Sequence, residues 1–213
     1  MEAFHFFSKL DQTILLGKKA SNLTELLDGL RTVPGSSIYY HTHRFLQQHN
    51  YLSPEPPNDF AYWVTGVLND TVLGERLSSI DIIQFQTIAQ LRSNLIELIE
   101  AYLHSSTRRV DCPPGEEFHY MASQIFVFPT PYHADNLQQF RDILTHISVN
   151  SIYYHVFDAK LRVEKGENDF SRWFADLGNA ELAEKVRSLD PYTQTLESLR
   201  KKIIYLVGKY ANN

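Results

Sequence analysis

Apolar residues in this chain recur mostly at helical spacing. Leu23, Leu26, Leu27 and Leu30 fall at i, i+3, i+4 and i+7, and Leu137, Phe140 and Leu144 repeat the stripe further on. Ile38, Thr42 and Phe45 form a second stripe, echoed by Ile152, Val156 and Ala159. Phe60, Trp63, Val64 and Val67 form a third, echoed by Phe170, Trp173, Phe174 and Leu177. A short helix follows with Leu73, Leu77 and Ile80, against Leu182, Val186 and Leu189. The longest stripe comes last: Ile88, Leu91, Leu95, Leu98, Ile99 and Tyr102, against Leu196, Leu199, Ile203, Leu206, Val207 and Tyr210. Two segments break the helical pattern. Gln124–Pro129 is β-branched and aromatic and stops at a proline, which predicts a short strand, with Gln12–Gly17 as its counterpart.

Helix starts can be read from capping residues. Ser21 and Asp135 (with Gln138 three residues on) are expected to cap the first helix of each set, Ser36 and Asn150 the second, and Asn58 and Asn168 the third. A Pro-rich loop, Ser53–Pro57, separates the second and third helices.

These echoes are a tandem duplication. Ser-Ile-Tyr-Tyr-His stands at residues 37–41 and again at 151–155. Phe4-His5 recurs as Phe118-His119 at the same offset, and Asn-Asp-Phe-x-x-Trp at 58–63 recurs at 168–173. Arg92 and Tyr102 reappear in order as Arg200 and Tyr210. The expected fold is mainly α: two copies of a roughly 100-residue unit, the size of a small domain. Each copy has about five helices and one short strand, and the two pack with pseudo-two-fold symmetry. The expected division is residues 1–103, a linker at 104–116, and residues 117–213. The linker carries Ser105–Arg109 and Pro113-Pro114-Gly115. The strands of the two copies are expected to pair and so cover their edges.

Composition narrows the function classes. Of 213 residues 43% are hydrophobic, enough to fill a core, and no apolar run approaches a membrane span. The net charge of −5 argues against a nucleic-acid binder, which needs a basic footprint. The one cysteine, Cys112, can form no internal disulfide, and no secretory, lipidation or retention signal is evident, so a cytoplasmic setting is expected. No nucleotide cradle, nucleophile elbow or His-Glu-x-x-His motif occurs, and no cofactor or metal is expected. His41-Thr42-His43 looks like a metal motif, but residues i and i+2 on a helix lie about 200° apart, and Phe157 replaces His43 in the second copy.

The candidate site residues are the doubled polar aromatics and their acidic neighbours: Tyr39, Tyr40, His41 and Asp59, with Tyr153, Tyr154, His155 and Asp169. A core helix needs only apolar volume there, yet both copies keep three polar-tipped rings. The competing structural reading makes these rings core residues bonded to backbone, and makes each aspartate a first-turn residue complementing the helix dipole. The expected function is a non-enzymatic binding or regulatory adaptor module, in which a paired aromatic–histidine groove receives a protein segment or a small ligand, as a monomer or homodimer. The alternative is a hydrolase with a His/Asp site at the pseudo-axis, possibly metal-dependent. Convergence of His41 with Asp59 in one cleft would favour the enzyme, and rings locked to backbone would count against it. The doubled Ser-Ile-Tyr-Tyr-His and Asn-Asp-Phe-x-x-Trp blocks, with the run Gly166–Phe170, resemble an uncharacterised prokaryotic family, a domain of unknown function. The resemblance implies a bacterial or archaeal intracellular setting and assigns no catalytic residue.

Overall fold

The computed structural model describes residues 2–44, 58–106, 110–161, 167–190 and 195–211. Phe45, the Pro-rich loop, Arg108, Arg109 and Gly166 lie outside these residues. The first copy runs β1 (Phe4–Ala20), α1 (Leu23–Thr32), α2 (Gly35–Tyr39), α3 (Asp59–Gly66), α4 (Thr71–Ser78) and α5 (Ile88–Ser105). The second runs β2 (Phe118–Ala134), α6 (Leu137–Leu144), α7 (Val149–Val156), α8 (Asp169–Asp176), α9 (Ala180–Arg187) and α10 (Leu196–Tyr210). The fold is mainly α, with two similar helical halves and one two-stranded sheet, β1–β2. Thr130 Oγ1 donates to Phe6 O, and Lys19 Nζ reaches Glu117 Oε1, so the strands run antiparallel.

The strands are not short. Each spans 17 residues. The segments read from sequence, Gln12–Gly17 and Gln124–Pro129, are only their middles. The ends were invisible because His5, Ser8, Lys9 and Asp11 interrupt the apolar run of β1, and because the partner that holds it is over 100 residues away in sequence. In the middles, consecutive apolar side chains are exposed, including Leu15, Phe126, Val127 and Phe128.

Among the described residues, the chain forms two compact units that are not consecutive stretches. One consists of 2–10 with 125–211, and the other of 11–44, 58–106 and 110–124. Each helical set is therefore completed by the opening segment of the other copy's strand. In the first unit, Phe4 and Phe6 are buried in the core with Phe140, Phe170 and Trp173. In the second, Phe118 lies 5.2 Å from Phe60 and 5.7 Å from Trp63, ring centre to ring centre. Equivalent contacts recur in both units. Arg92 donates to Val33 O, and Arg200 donates to Leu144 O and Ile147 O, so each satisfies carbonyls at the end of its first helix.

The stripes fold as read over α1 and α6, whose Leu23, Leu26, Leu27 and Leu30, and Leu137, Phe140 and Leu144, are all buried. Several caps shift. Asn22 and Asn136, not Ser21 and Asp135, accept from the amides of Glu25 and Gln139. Ser148, not Asn150, caps α7, and Pro34 rather than Ser36 precedes α2. Neighbouring polar residues such as Ser21 and Asn22 are both chemically competent caps. Asn58 and Asn168 cap as expected. The helix bearing Tyr39 opens into a π-turn over Tyr40–Arg44, whereas α7 stays regular to Val156.

Candidate functional site

The duplicated blocks build one His–Asp pair in each unit. Asn58 and Asn168 set the first turns of α3 and α8, which puts Asp59 and Asp169 at the first helical position, facing the helix that carries the histidine. His41 Nδ1 lies 2.7 Å from Asp59 Oδ2, and His155 Nδ1 lies 2.7 Å from Asp169 Oδ2. The hydrogen-bond reach between His and Asp that the hydrolase alternative calls for is present in both units, one pair in each. The histidines are buried, and the aspartates are half-buried.

The other ring nitrogen is also engaged. Met121 N–H donates to His41 Nε2 at 3.0 Å, and Phe7 N–H donates to His155 Nε2 at 2.8 Å. Both donors belong to the strand segment contributed by the other copy. An Nε2 that accepts from an amide carries no proton, so Nδ1 bears the hydrogen and donates it to the carboxylate. Each ring thus bridges an aspartate on its own helical set and the backbone of the incoming strand.

The rest of the strand is held in the same manner, largely through its backbone. The indole N–H of Trp63 donates to Glu116 O at 2.8 Å, and that of Trp173 donates to Glu2 O at 3.2 Å. Ser151 Oγ donates to Phe7 O. Alternate strand side chains fill the groove: Phe118 and Tyr120 in one unit, Phe4 and Phe6 in the other, all buried. Tyr120 is fully buried, its hydroxyl donates to Leu26 O at 2.6 Å, and burial pushes its phenol well above the usual tyrosine range. It lies over Gly29, where an added Cβ would come within 2.1 Å of Tyr120 Oη. At the matching positions of the other unit stand Phe6 and Ile143.

The remaining candidates divide by exposure. Tyr39 and Tyr153 are buried in the two cores, so they line no open groove. Tyr40 and Tyr154 are half-buried and lie edge-on against the neighbouring histidines, with ring centres 4.9 and 5.0 Å apart. His43 stacks on Tyr39 at 5.4 Å. Among the described residues, no group of three His, Cys, Asp or Glu side chains is placed to hold a metal. A 440 Å³ cavity runs along Ser8–Leu10 and Phe128–Tyr132, and one of 270 Å³ lies beside Asn22, Asp70 and Asp111. Neither is lined by the His–Asp pairs.

Three features escaped the sequence reading. The tryptophan-to-strand bonds were signalled only by the repetition of Trp63 as Trp173. The role of the strand ends was signalled by the repeated Phe-His pair. The third had no signal: Lys9, fully buried, pairs with Asp158 at 2.6 Å and lies 4.7 Å over the Tyr153 ring, while the first copy has Arg44 where Asp158 stands.

A family model described as "Family of unknown function (DUF5752)" matches residues 1–208. The solved structure of OrfY from Thermoproteus tenax is similar over 100% of this chain and 97% of its own, at 25% identity and a TM-score of 0.82. No protein of curated function matches. No helix among the described residues is long and apolar enough to cross a membrane.

Proposed function

Starting from the fact that the chain belongs to this family of unknown function, DUF5752, we propose that it is a non-enzymatic adaptor module whose two grooves recognise an extended polypeptide segment. The observation that carries this reading is the engagement of both histidines: Nε2 accepts a strand amide while Nδ1 is held by aspartate. Each groove binds backbone through His and Trp side chains and takes aromatic side chains at alternate positions. That is a recipe for recognising an extended segment with aromatics two residues apart. In the present state the chain fills both grooves itself. Tyr40 with Asp59, and Tyr154 with Asp169, form the accessible rims where a partner would extend its contacts.

The test vacates one groove. A Phe118→Ala/Tyr120→Ala chain is mixed with a labelled peptide of residues 116–124, and binding is read by fluorescence anisotropy. The peptide is expected to bind the vacated chain, at least tenfold more weakly to the unaltered one, and not when its two aromatics are alanine. Absence of binding to the vacated chain overturns the reading.

A second reading, a hydrolase, is favoured by the His–Asp pairs at 2.7 Å and by the partial exposure of both carboxylates. For such chemistry Nε2 must take a proton, so the Met121 or Phe7 amide has to leave first. Turnover of activated esters that disappears in His41→Asn/His155→Asn would establish it.

A further inference from the structure

We propose that the two histidines form pH-sensitive latches that release the exchanged strand segments as the medium becomes mildly acidic. The inference rests on the groove–strand contacts of the reading above, but not on the existence of an outside partner. In the closed state, an amide N–H points at Nε2 from 3.0 Å at His41 and 2.8 Å at His155. A proton on that nitrogen would set donor against donor, so closure and protonation at Nε2 exclude each other, and opening one latch takes up one proton. The Nδ1 side does not change, because a protonated ring still donates to its aspartate.

The titratable groups seen to face His41 are Asp59 on α3, Tyr40 on its own helix and Tyr120 on β2. Those seen to face His155 are Asp169 on α8 and Tyr154 on its own helix, and β1 presents Phe4, Phe6 and Phe7 to it. Tyr120 stays protonated because burial drives its phenol upward. None of these groups replaces the amide as a partner for Nε2. Like the tryptophan bond, the latch is a polar clasp repeated on both strand segments. Opening it frees the edge of a segment whose aromatics are otherwise held by packing and, at Tyr120, by the bond to Leu26 O.

Linkage fixes the sign and size. A site that must gain one proton to open becomes about tenfold easier to open for each pH unit over which the released ring is protonated. The experiment is amide hydrogen exchange on the intact chain by NMR from pH 8 to pH 5, with intrinsic exchange divided out. Protection at Met121 and Phe7 should fall towards the acidic end of this range, approaching about tenfold per pH unit, while Leu95 and Ile203, buried on α5 and α10, hold theirs. The His41→Gln/His155→Gln chain keeps an acceptor carbonyl that does not titrate, and its protection at the same amides should be flat with pH. Flat protection in the unaltered chain overturns the proposal, whether or not the variant folds. Peptide capture without pH-dependent protection would leave the adaptor reading standing and remove the latch, and the converse result would do the reverse.

Discussion

Replacing Gly29 by alanine separates groove–strand complementarity from helix propensity, because the two predict opposite signs. Gly29 lies within α1, and an alanine inside a helix is ordinarily worth about 1 kcal/mol more than glycine. Here an ideal Cβ would lie 2.1 Å from Tyr120 Oη and 2.2 Å from Cζ. No atom pair tolerates that approach, so the ring must move. It cannot move freely, because it is fully buried, lies edge-on to Phe118 at 5.0 Å and is anchored on Leu26 O. Overpacking of this kind costs about 1–3 kcal/mol, and losing the Leu26 bond costs about 1 kcal/mol more. Against the propensity gain, the net is a loss of about 1–3 kcal/mol. The assay is urea unfolding followed by fluorescence. Trp63 reports the unit that contains Gly29, and Trp173 reports the other, so Trp63→Phe and Trp173→Phe backgrounds resolve them. The midpoint reported by Trp63 should fall with its slope unchanged. A Gly29→Ala/Tyr120→Leu double mutant should recover part of the loss, giving a coupling energy between residues contributed by the two copies. A higher midpoint for Gly29→Ala would show that Tyr120 does not seat on α1, and the groove argument would fail with it.

Other expectations follow from individual contacts. Asn58→Ala and Asn168→Ala each remove a cap and a bond to a buried carbonyl, Leu77 O or Val186 O, and should cost about 1–2 kcal/mol in the same unfolding assay. Lys9→Met leaves Asp158 buried without its cation and should destabilise by about 3–5 kcal/mol, seen through Trp173; an unchanged midpoint would mean the ion pair is dispensable. Burial, with Glu117, Asp111 and Glu116 nearby, pushes the Cys112 thiol up. Disulfide reagents should therefore label the folded chain more slowly than the urea-unfolded chain, with the pH–rate curve displaced to higher pH. The sign for stability follows: the thiol's contribution is fully present below the unfolded thiol range and is lost as the pH rises from there through the raised folded value.

The helices, the duplication and the family were legible because they depend on local periodicity and on self-comparison of the chain. Asn58 and Asn168 were readable as caps, and the same local logic put Asp59 and Asp169 in a first turn. What the sequence could not reveal was the destination of long-range bonds. His41 finds its second partner 80 residues away and His155 finds its own 148 residues away, so neither spacing nor helical phase could identify them. The strand ends failed for a related reason. Of their polar residues His5 and His119 meet solvent, whereas Ser8 and Lys9 are buried by helices that lie far away in sequence. Nothing local marks Lys9 for burial, and only the fold brings Asp158 and Tyr153 around it. The shifted caps at Asn22 and Asn136 are failures of a smaller kind, one residue in register, where adjacent polar side chains compete on equal chemical terms.

The central claim, that each histidine joins an aspartate to the backbone of the exchanged strand, has a direct spectroscopic test. Long-range proton–nitrogen correlation of the imidazole rings reports which nitrogen is protonated and which accepts a hydrogen bond. At neutral pH, His41 and His155 are predicted to be Nδ1–H tautomers with unprotonated Nε2, correlated to the amide protons of Met121 and Phe7. Rings protonated at Nε2, or Nε2 signals without any link to those amides, would contradict the account.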